Sequence, residues 1–162
     1  MTQYVQLSSD TTKVVTWYAG PQAITSDKPG YAEIADTDSR YVAWQNVQAA
    51  NIAFANAVKA GVNITSTSVS ALNGTYSLGS QMRSDITSEQ VYIATTGKFT
   101  NGSTTRAWPD INGSLHTFPS TAEFTAFAEA VASYYDSLLA AWDEVNSSGN
   151  PWVAPSQPAP IA

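Results

Sequence analysis

The residue types that could carry out chemistry are few in this sequence. His116 is the only histidine and there is no cysteine, which excludes disulfides, thiolate zinc sites and cysteine nucleophiles. Serine catalysis would need His116 to meet a serine and an acid across the fold. The strand-to-helix G-x-S-x-G turn that presents such a serine in many hydrolases does not occur. His116 falls in a predicted hairpin strand, which favours a structural role for it.

The carboxylates offer no better catalytic candidate. Asp36 and Asp38 resemble the start of a calcium loop, but the third ligand, the central glycine and the bidentate glutamate are missing. Asp143 and Glu144 are adjacent, so they point in different directions from a helix, and we expect both pairs to be solvated. Glycoside cleavage needs two carboxyls across a groove, and spacing selects no pair among Asp85, Glu89, Asp110 and Glu123. We therefore predict no catalytic, metal-binding or cofactor-binding residue, and no enzyme activity.

The composition restricts the partners. The chain has 162 residues, of which 43% are hydrophobic, and this favours a packed core over disorder. Its formal net charge of −6 repels phosphate backbones, which excludes nucleic acid as a partner. No apolar run reaches the roughly 18 residues of a membrane helix. The opening MTQYVQLSSD has no basic or apolar signal region, so we expect no secretion signal and synthesis in a cytoplasm.

The first forty residues predict two strands and an irregular stretch. A polar turn at residues 8–12 separates two short strands, the second of which, 14–18, contains only β-branched and aromatic residues. Residues 22–37 look irregular, and Pro29-Gly30 offers a further turn. The chain is therefore expected to open with a short β-hairpin.

A long helix follows the irregular stretch. Asp38 or Ser39 can cap it, apolar residues recur at helical spacing over residues 39–60, and Gly61 suits a left-handed C-terminal residue. The Ser/Thr-rich residues 62–70 then indicate an extended linker or an edge strand. We place a domain boundary there.

The next segment predicts a third helix and a second hairpin. The helix is opened by Ser84 or by the capping-box pattern Thr87-x-x-Gln90 and ends at Gly97. In the hairpin, Asn-Gly at 112–113 is expected to take positive φ at both central turn positions.

The last helix gives the strongest pattern. Ser120 opens a capping box, Ser-Thr-Ala-Glu, and the helix is expected to end near Asn146. Its apolar stripe consists of Phe124, Phe127, Ala128, Val131, Tyr135, Leu138, Leu139 and Trp142. The Pro-rich tail is predicted to be an extended arm. The predicted fold is α+β: an N-terminal β-hairpin and long helix (1–61), a linker (62–70), a helix, β-hairpin and long-helix domain (71–146) and a tail arm (147–162).

The five tryptophans are candidates for stacking on sugar rings, or for contacts with a protein partner. Trp44 and Trp142 fall on apolar helical faces, which favours the core for both. Trp152 lies in the tail and could anchor it to a partner. Trp108 fits either role, and Trp17 lies in a predicted strand.

Residues 71–142 resemble a known family. The segment begins with LNGTYSL, continues through GKFTNG, and closes with WPDINGSLHTFPSTAEFTAFAEAVASYY. This pattern resembles the C-terminal domain of many tailed-bacteriophage tail proteins. The stretch DSRYVAW, residues 38–44, is also similar to a sequence common in phage tail and tail-fibre-assembly proteins.

The resemblance implies a phage tail protein without an assignable enzyme activity, made in the host cytoplasm and located in the virion. The first hypothesis is a structural tail or fibre-associated component that contacts other tail proteins and copies of itself. Its contact candidates are Trp108, Tyr134, Tyr135, Pro151 and Trp152. The second hypothesis is an assembly chaperone that binds fibres and leaves before infection. The third is a module that binds glycans of the host surface.

Overall fold

The computed structural model describes residues 1–22 and 30–162. These residues form a mixed α+β fold of three α-helices and small antiparallel sheets, as predicted. They divide into two compact units: unit 1 is Met1–Ala53 with Ala141–Val153, and unit 2 is Phe54–Ala140 with Ala154–Ala162. This division differs from the predicted boundaries at 61 and 146, because each long helix contributes residues to both units.

Unit 1 contains a three-stranded sheet. Strands β1 (Thr2–Leu7) and β2 (Val14–Tyr18) form the predicted hairpin, and β3 (Tyr31–Ala35) pairs antiparallel with the other side of β1. The prediction of an irregular chain was therefore wrong for β3, where buried Ile34 joins the core but few neighbours favour a strand. The remainder of that stretch, including Pro29, lies outside the described residues.

Helix α1 (Ser39–Ala60) has the predicted bounds. The Asp38 carboxylate accepts a hydrogen bond of 2.9 Å from the Arg40 backbone N–H, which satisfies a donor that the first turn leaves free. The start of α1 packs in unit 1 through Tyr41, which is buried with four side chains of the sheet: Val5, Leu7, Val14 and Ile34. Gly61 ends the helix at φ +82°, as predicted.

Residues 62–70 are not a linker. Strand β4 (Val62–Ile64) pairs antiparallel with β5 (Gly74–Tyr76), and a 3-10 turn forms at Ser70–Leu72. Val62 and Ile64 are both buried, so the segment belongs to the core of unit 2. The edge-strand alternative was the correct interpretation of its first three residues.

Helix α2 (Ser80–Thr96) starts earlier than either predicted cap. The hydroxyl of Thr87 donates instead to the carbonyl of Arg83 within the helix, at 2.9 Å. The first turn begins at Gly79, whose carbonyl accepts the Arg83 N–H. The sequence therefore carries no side-chain signal at the N-terminal end of the helix. The predicted C-terminal end at Gly97 is confirmed by the φ of this residue, +71°.

The second hairpin consists of β6 (Arg106–Pro109) and β7 (Leu115–Phe118). Its turn differs from the predicted one, because positive φ occurs at Gly113 and not at Asn112. Asp110 organises the turn instead: its Oδ1 accepts the backbone N–H groups of Asn112 and Ser114, each at 2.8 Å.

Helix α3 (Thr121–Ser148) supplies much of the core of unit 2. The Ser120 hydroxyl accepts the N–H groups of Ala122 and Glu123, at 3.2 and 3.4 Å, so the serine half of the predicted capping box is present. The Glu123 half is not formed, because Oε2 of its carboxylate is buried without a hydrogen-bond partner among the described residues. Phe124 and Phe127 are fully buried. Their ring contacts extend to four aromatic residues outside the helix: Tyr76, Phe99, Trp108 and Phe118.

Replacing two glycines that share a left-handed backbone should lower the free energy of unfolding by different amounts. A Cβ at Gly61 would lie 2.5 Å from the Tyr76 carbonyl oxygen, whereas a Cβ at Gly97 meets nothing within 4 Å. We expect Gly97→Ala to cost about 1 kcal/mol from its left-handed backbone alone. Gly61→Ala should cost about 3 kcal/mol, because overpacking is added. Urea unfolding of both variants tests this, and equal costs would contradict the steric contribution.

Candidate functional site

The tail is not a free arm. Its first two residues, 147–148, belong to α3, and residues 154–162 pack within unit 2. The Ile161 N–H donates to the Thr65 carbonyl and the Thr67 N–H donates to the Ile161 carbonyl, both at 2.9 Å. Ile161 itself is buried. The prediction of an extended arm was therefore wrong for this end of the tail. A short parallel bridge between Ile161 and Ser66 holds it against its own chain.

Two of the five predicted contact residues belong to the core. Trp108 is 5% exposed, its indole N–H donates to the Met82 sulfur at 3.1 Å, and its ring lies 5.0 Å from that of Phe124. Tyr134 is also buried, and its hydroxyl accepts a hydrogen bond from the Gln157 amide at 2.9 Å. Neither residue presents a surface to a partner, because Trp108 packs against Phe124 and Met82 while Tyr134 is bonded by the tail.

The other three contact candidates retain exposed surface. Pro151 is exposed and Trp152 is half-buried in unit 1. Tyr135 is half-buried in unit 2, where the Arg83 guanidinium lies 3.6 Å above its ring. Further exposed apolar side chains occur at positions that the sequence did not single out, namely Val15, Val42, Ile52, Val91, Ile111, Leu115 and Val153.

The buried Glu89 forms a polar cluster in unit 2. Its carboxylate accepts the backbone N–H of Thr100 at 2.7 Å and the Thr100 hydroxyl at 2.9 Å, and it lies 3.3 Å from the Arg106 guanidinium. Arg106 also donates to the Thr100 hydroxyl. The groups are satisfied by one another, so the cluster joins α2 to the start of the hairpin and leaves no carboxylate poised for proton transfer.

His116 is also engaged structurally. Its Nδ1 lies 2.7 Å from the Ala71 carbonyl oxygen, which can only accept, so Nδ1 carries a hydrogen. Its Nε2 lies 3.5 Å from Oδ2 of Asp110, and the ring packs against Tyr76. Neither contact involves a serine hydroxyl. The arrangement connects the hairpin to the 3-10 turn.

Asp110 and Tyr76 titrate away from their usual ranges in this cluster. Burial alone would raise the pKa of Asp110, but hydrogen bonds from the backbone N–H groups of Ser114 and Asn112, together with the nearby His116 ring, outweigh it and lower the pKa. Burial, and then the charge of Asp110, raise the pKa of the Tyr76 hydroxyl well above its ordinary value. Asp110 is therefore held as a carboxylate and Tyr76 as a neutral phenol. A carboxylate is the form that accepts the two backbone N–H groups of the hairpin turn.

Replacing Asp110 by asparagine should change how stability depends on pH. Because its folded pKa is lowered, the carboxylate stabilises the fold fully above its unfolded pKa of about 3.9 and loses this effect as pH falls through the folded value. Asparagine keeps an acceptor oxygen but no charge. We expect wild type to exceed Asp110→Asn in stability above about pH 5, with the difference shrinking below about pH 4. Urea unfolding across that range measures it, and a difference that persists undiminished at low pH would contradict the assignment.

A cleft with no sequence signal lies in unit 1. It has a volume of about 500 Å³ and is lined by residues of three segments, around Lys13, around Trp44 and at 146–149. A second groove, of about 360 Å³, lies in unit 2 beside Glu89 and Arg106. The first cleft was missed from the sequence, because its three segments are far apart in the chain and none carries a motif.

Within residues 1–22 and 30–162, no group of three or more His, Asp or Glu side chains is placed to hold a metal ion. In the same ranges, no helix has the length and apolar character needed to cross a membrane. A scan of protein-family models and searches of curated proteins and of solved structures found no match to this chain.

Proposed function

We propose that the chain is a structural component of a bacteriophage tail, acting through protein–protein contacts and not as an enzyme. The resemblance of residues 71–142 to phage tail domains is the starting point. The observation that carries the proposal is how the polar groups of that region are used. The carboxylates of its two polar clusters, buried Glu89 and half-buried Asp110, accept hydrogen bonds from within the chain.

The surface supports the same proposal. Only 12% of the residues are charged, about half the usual share. Exposed apolar side chains occur on the hairpin of unit 2, where Leu115 is 70% exposed and Ile111 is partly so. In unit 1, Val153 is 77% exposed next to Pro151 and Trp152. Apolar side chains of this kind are suited to contacts with other tail proteins or with further copies of the chain.

Electron microscopy of labelled particles tests the proposal. Antibodies raised against the recombinant chain, carried on gold, would be applied to intact particles of the phage that encodes it. We expect gold at the tail or its fibres. The matched control is the same antibody after absorption with the recombinant protein. Particles that remain unlabelled, both intact and after mild disruption, would contradict a virion component and favour the assembly chaperone.

A further inference from the structure

The cleft of unit 1 has a charge that sets it apart from the rest of the chain. The protein carries a formal net charge of −6, yet Lys13 and Arg40 line this cleft and no aspartate or glutamate does. Arg40 is already compensated, because its guanidinium donates to both carboxylate oxygens of Asp38, at 2.9 and 2.7 Å. The ammonium of Lys13 has no carboxylate partner among the described residues. The cleft therefore contains one uncompensated positive charge.

The same cleft has an apolar wall. Trp44 and Val47 line it from α1. Trp44 is half-buried and stacked on Tyr41, with ring centroids 5.9 Å apart and planes inclined by 15°. This stacking fixes the indole, so the wall is formed before any ligand arrives.

Groups that bond hydroxyls complete the lining. The Ser39 hydroxyl forms no hydrogen bond with another described residue, and the Asn146 side chain uses only its Nδ2, donating to the Trp142 carbonyl. A rigid aromatic wall, a few polar groups and a volume of about 500 Å³ are usual features of small-molecule sites. Aromatic and aliphatic walls suit the C–H faces of a sugar ring, while amides and hydroxyls suit its hydroxyl groups.

We propose that this cleft binds an acidic monosaccharide, with the ring against Trp44 and Val47 and the sugar carboxylate on Lys13. The hydroxyls would bond Ser39 and the free oxygen of Asn146. A neutral sugar lacks the charge-assisted bond to Lys13, so the site should prefer the acidic one. The site is distinct from the contact surfaces of the proposed function. The sugar-binding proposal can therefore be tested separately from the proposed function.

Titration calorimetry with sialyllactose tests the proposal, with lactose, which lacks the acidic sugar, as the neutral probe. We expect sialyllactose to bind at least about tenfold more tightly than lactose, because hydrogen bonds to charged groups are the stronger ones. Lys13→Gln should remove that advantage and Lys13→Arg should largely retain it. Lys98→Gln, at an exposed lysine of unit 2, is the control and should bind as wild type does. Lys13 is itself exposed, so these variants should keep the melting temperature.

Chemical shift changes of backbone amides locate the binding. We expect those caused by sialyllactose to centre on residues 12–14, 39–47 and 146–149. Equal affinity for sialyllactose and lactose would overturn the acidic class of ligand. Shifts confined to other residues, no binding of either sugar, or unchanged binding by Lys13→Gln would overturn the site.

Discussion

Replacing Phe124 by alanine should lower the free energy of unfolding by about 4 kcal/mol. The Phe124 side chain is 0% exposed, and its ring lies within 5.0 to 5.6 Å of four other rings. Two of these, Trp108 and Phe118, belong to the two strands of the second hairpin, so truncation would remove two of the ring contacts between α3 and the hairpin. The loss combines transfer free energy with the cost of the cavity left behind.

A matched truncation on the same helix provides the control for Phe124. Leu139 is 39% exposed, so Leu139→Ala should cost less than about 1 kcal/mol. Denaturant unfolding followed by tryptophan fluorescence measures both variants. Similar costs at the two positions would show that Phe124 is not the centre of this core.

Replacing Glu89 by alanine should cost about 3 to 5 kcal/mol. The carboxylate is only 4% exposed as a side chain, and its loss would leave the Thr100 N–H and the Arg106 guanidinium without their main acceptor. The Arg106 side chain, 28% exposed, would lose the carboxylate that compensates its charge, and breaking such a pair costs more than the net stabilisation that the pair provides. Glu89→Gln should cost less than alanine, because the amide oxygen can still accept the Thr100 N–H.

Asp85 is the control for Glu89, one turn earlier on α2. Its exposed carboxylate accepts only a hydrogen bond from Gln81, so Asp85→Ala should change stability by less than about 0.5 kcal/mol. Thermal and urea unfolding would be compared for the three variants. A cost for Glu89→Ala as small as that of Asp85→Ala would contradict a structural role for the buried cluster.

The elements with local stop and start signals could be predicted well. The bounds of α1 follow from Asp38 and Gly61, and the start of α3 follows from Ser120, because capping groups act within one turn of the chain. The start of α2 was missed, since Gly79 begins it with backbone groups alone. A helix start without a side-chain cap leaves no particular residue type in the sequence by which it could be recognised.

The contact residues could not be predicted, because their burial depends on distant parts of the chain. Tyr134 is bonded by Gln157, 23 residues later, and the end of the tail is held through Ile161 on the segment after β4. A Pro-rich composition accounts for a tail without regular secondary structure, but not for where that tail packs. The cleft around Lys13 and Trp44 likewise depends on tertiary structure.

The stoichiometry of the chain in purified particles tests the proposed function most directly. Particles of the encoding phage would be purified through successive density gradients, and the chain quantified by mass spectrometry against the major tail protein. A structural component should be present at a fixed copy number that further purification leaves unchanged. Absence from particles, together with abundance in the infected-cell lysate, would contradict the proposal and identify a factor that acts only during assembly.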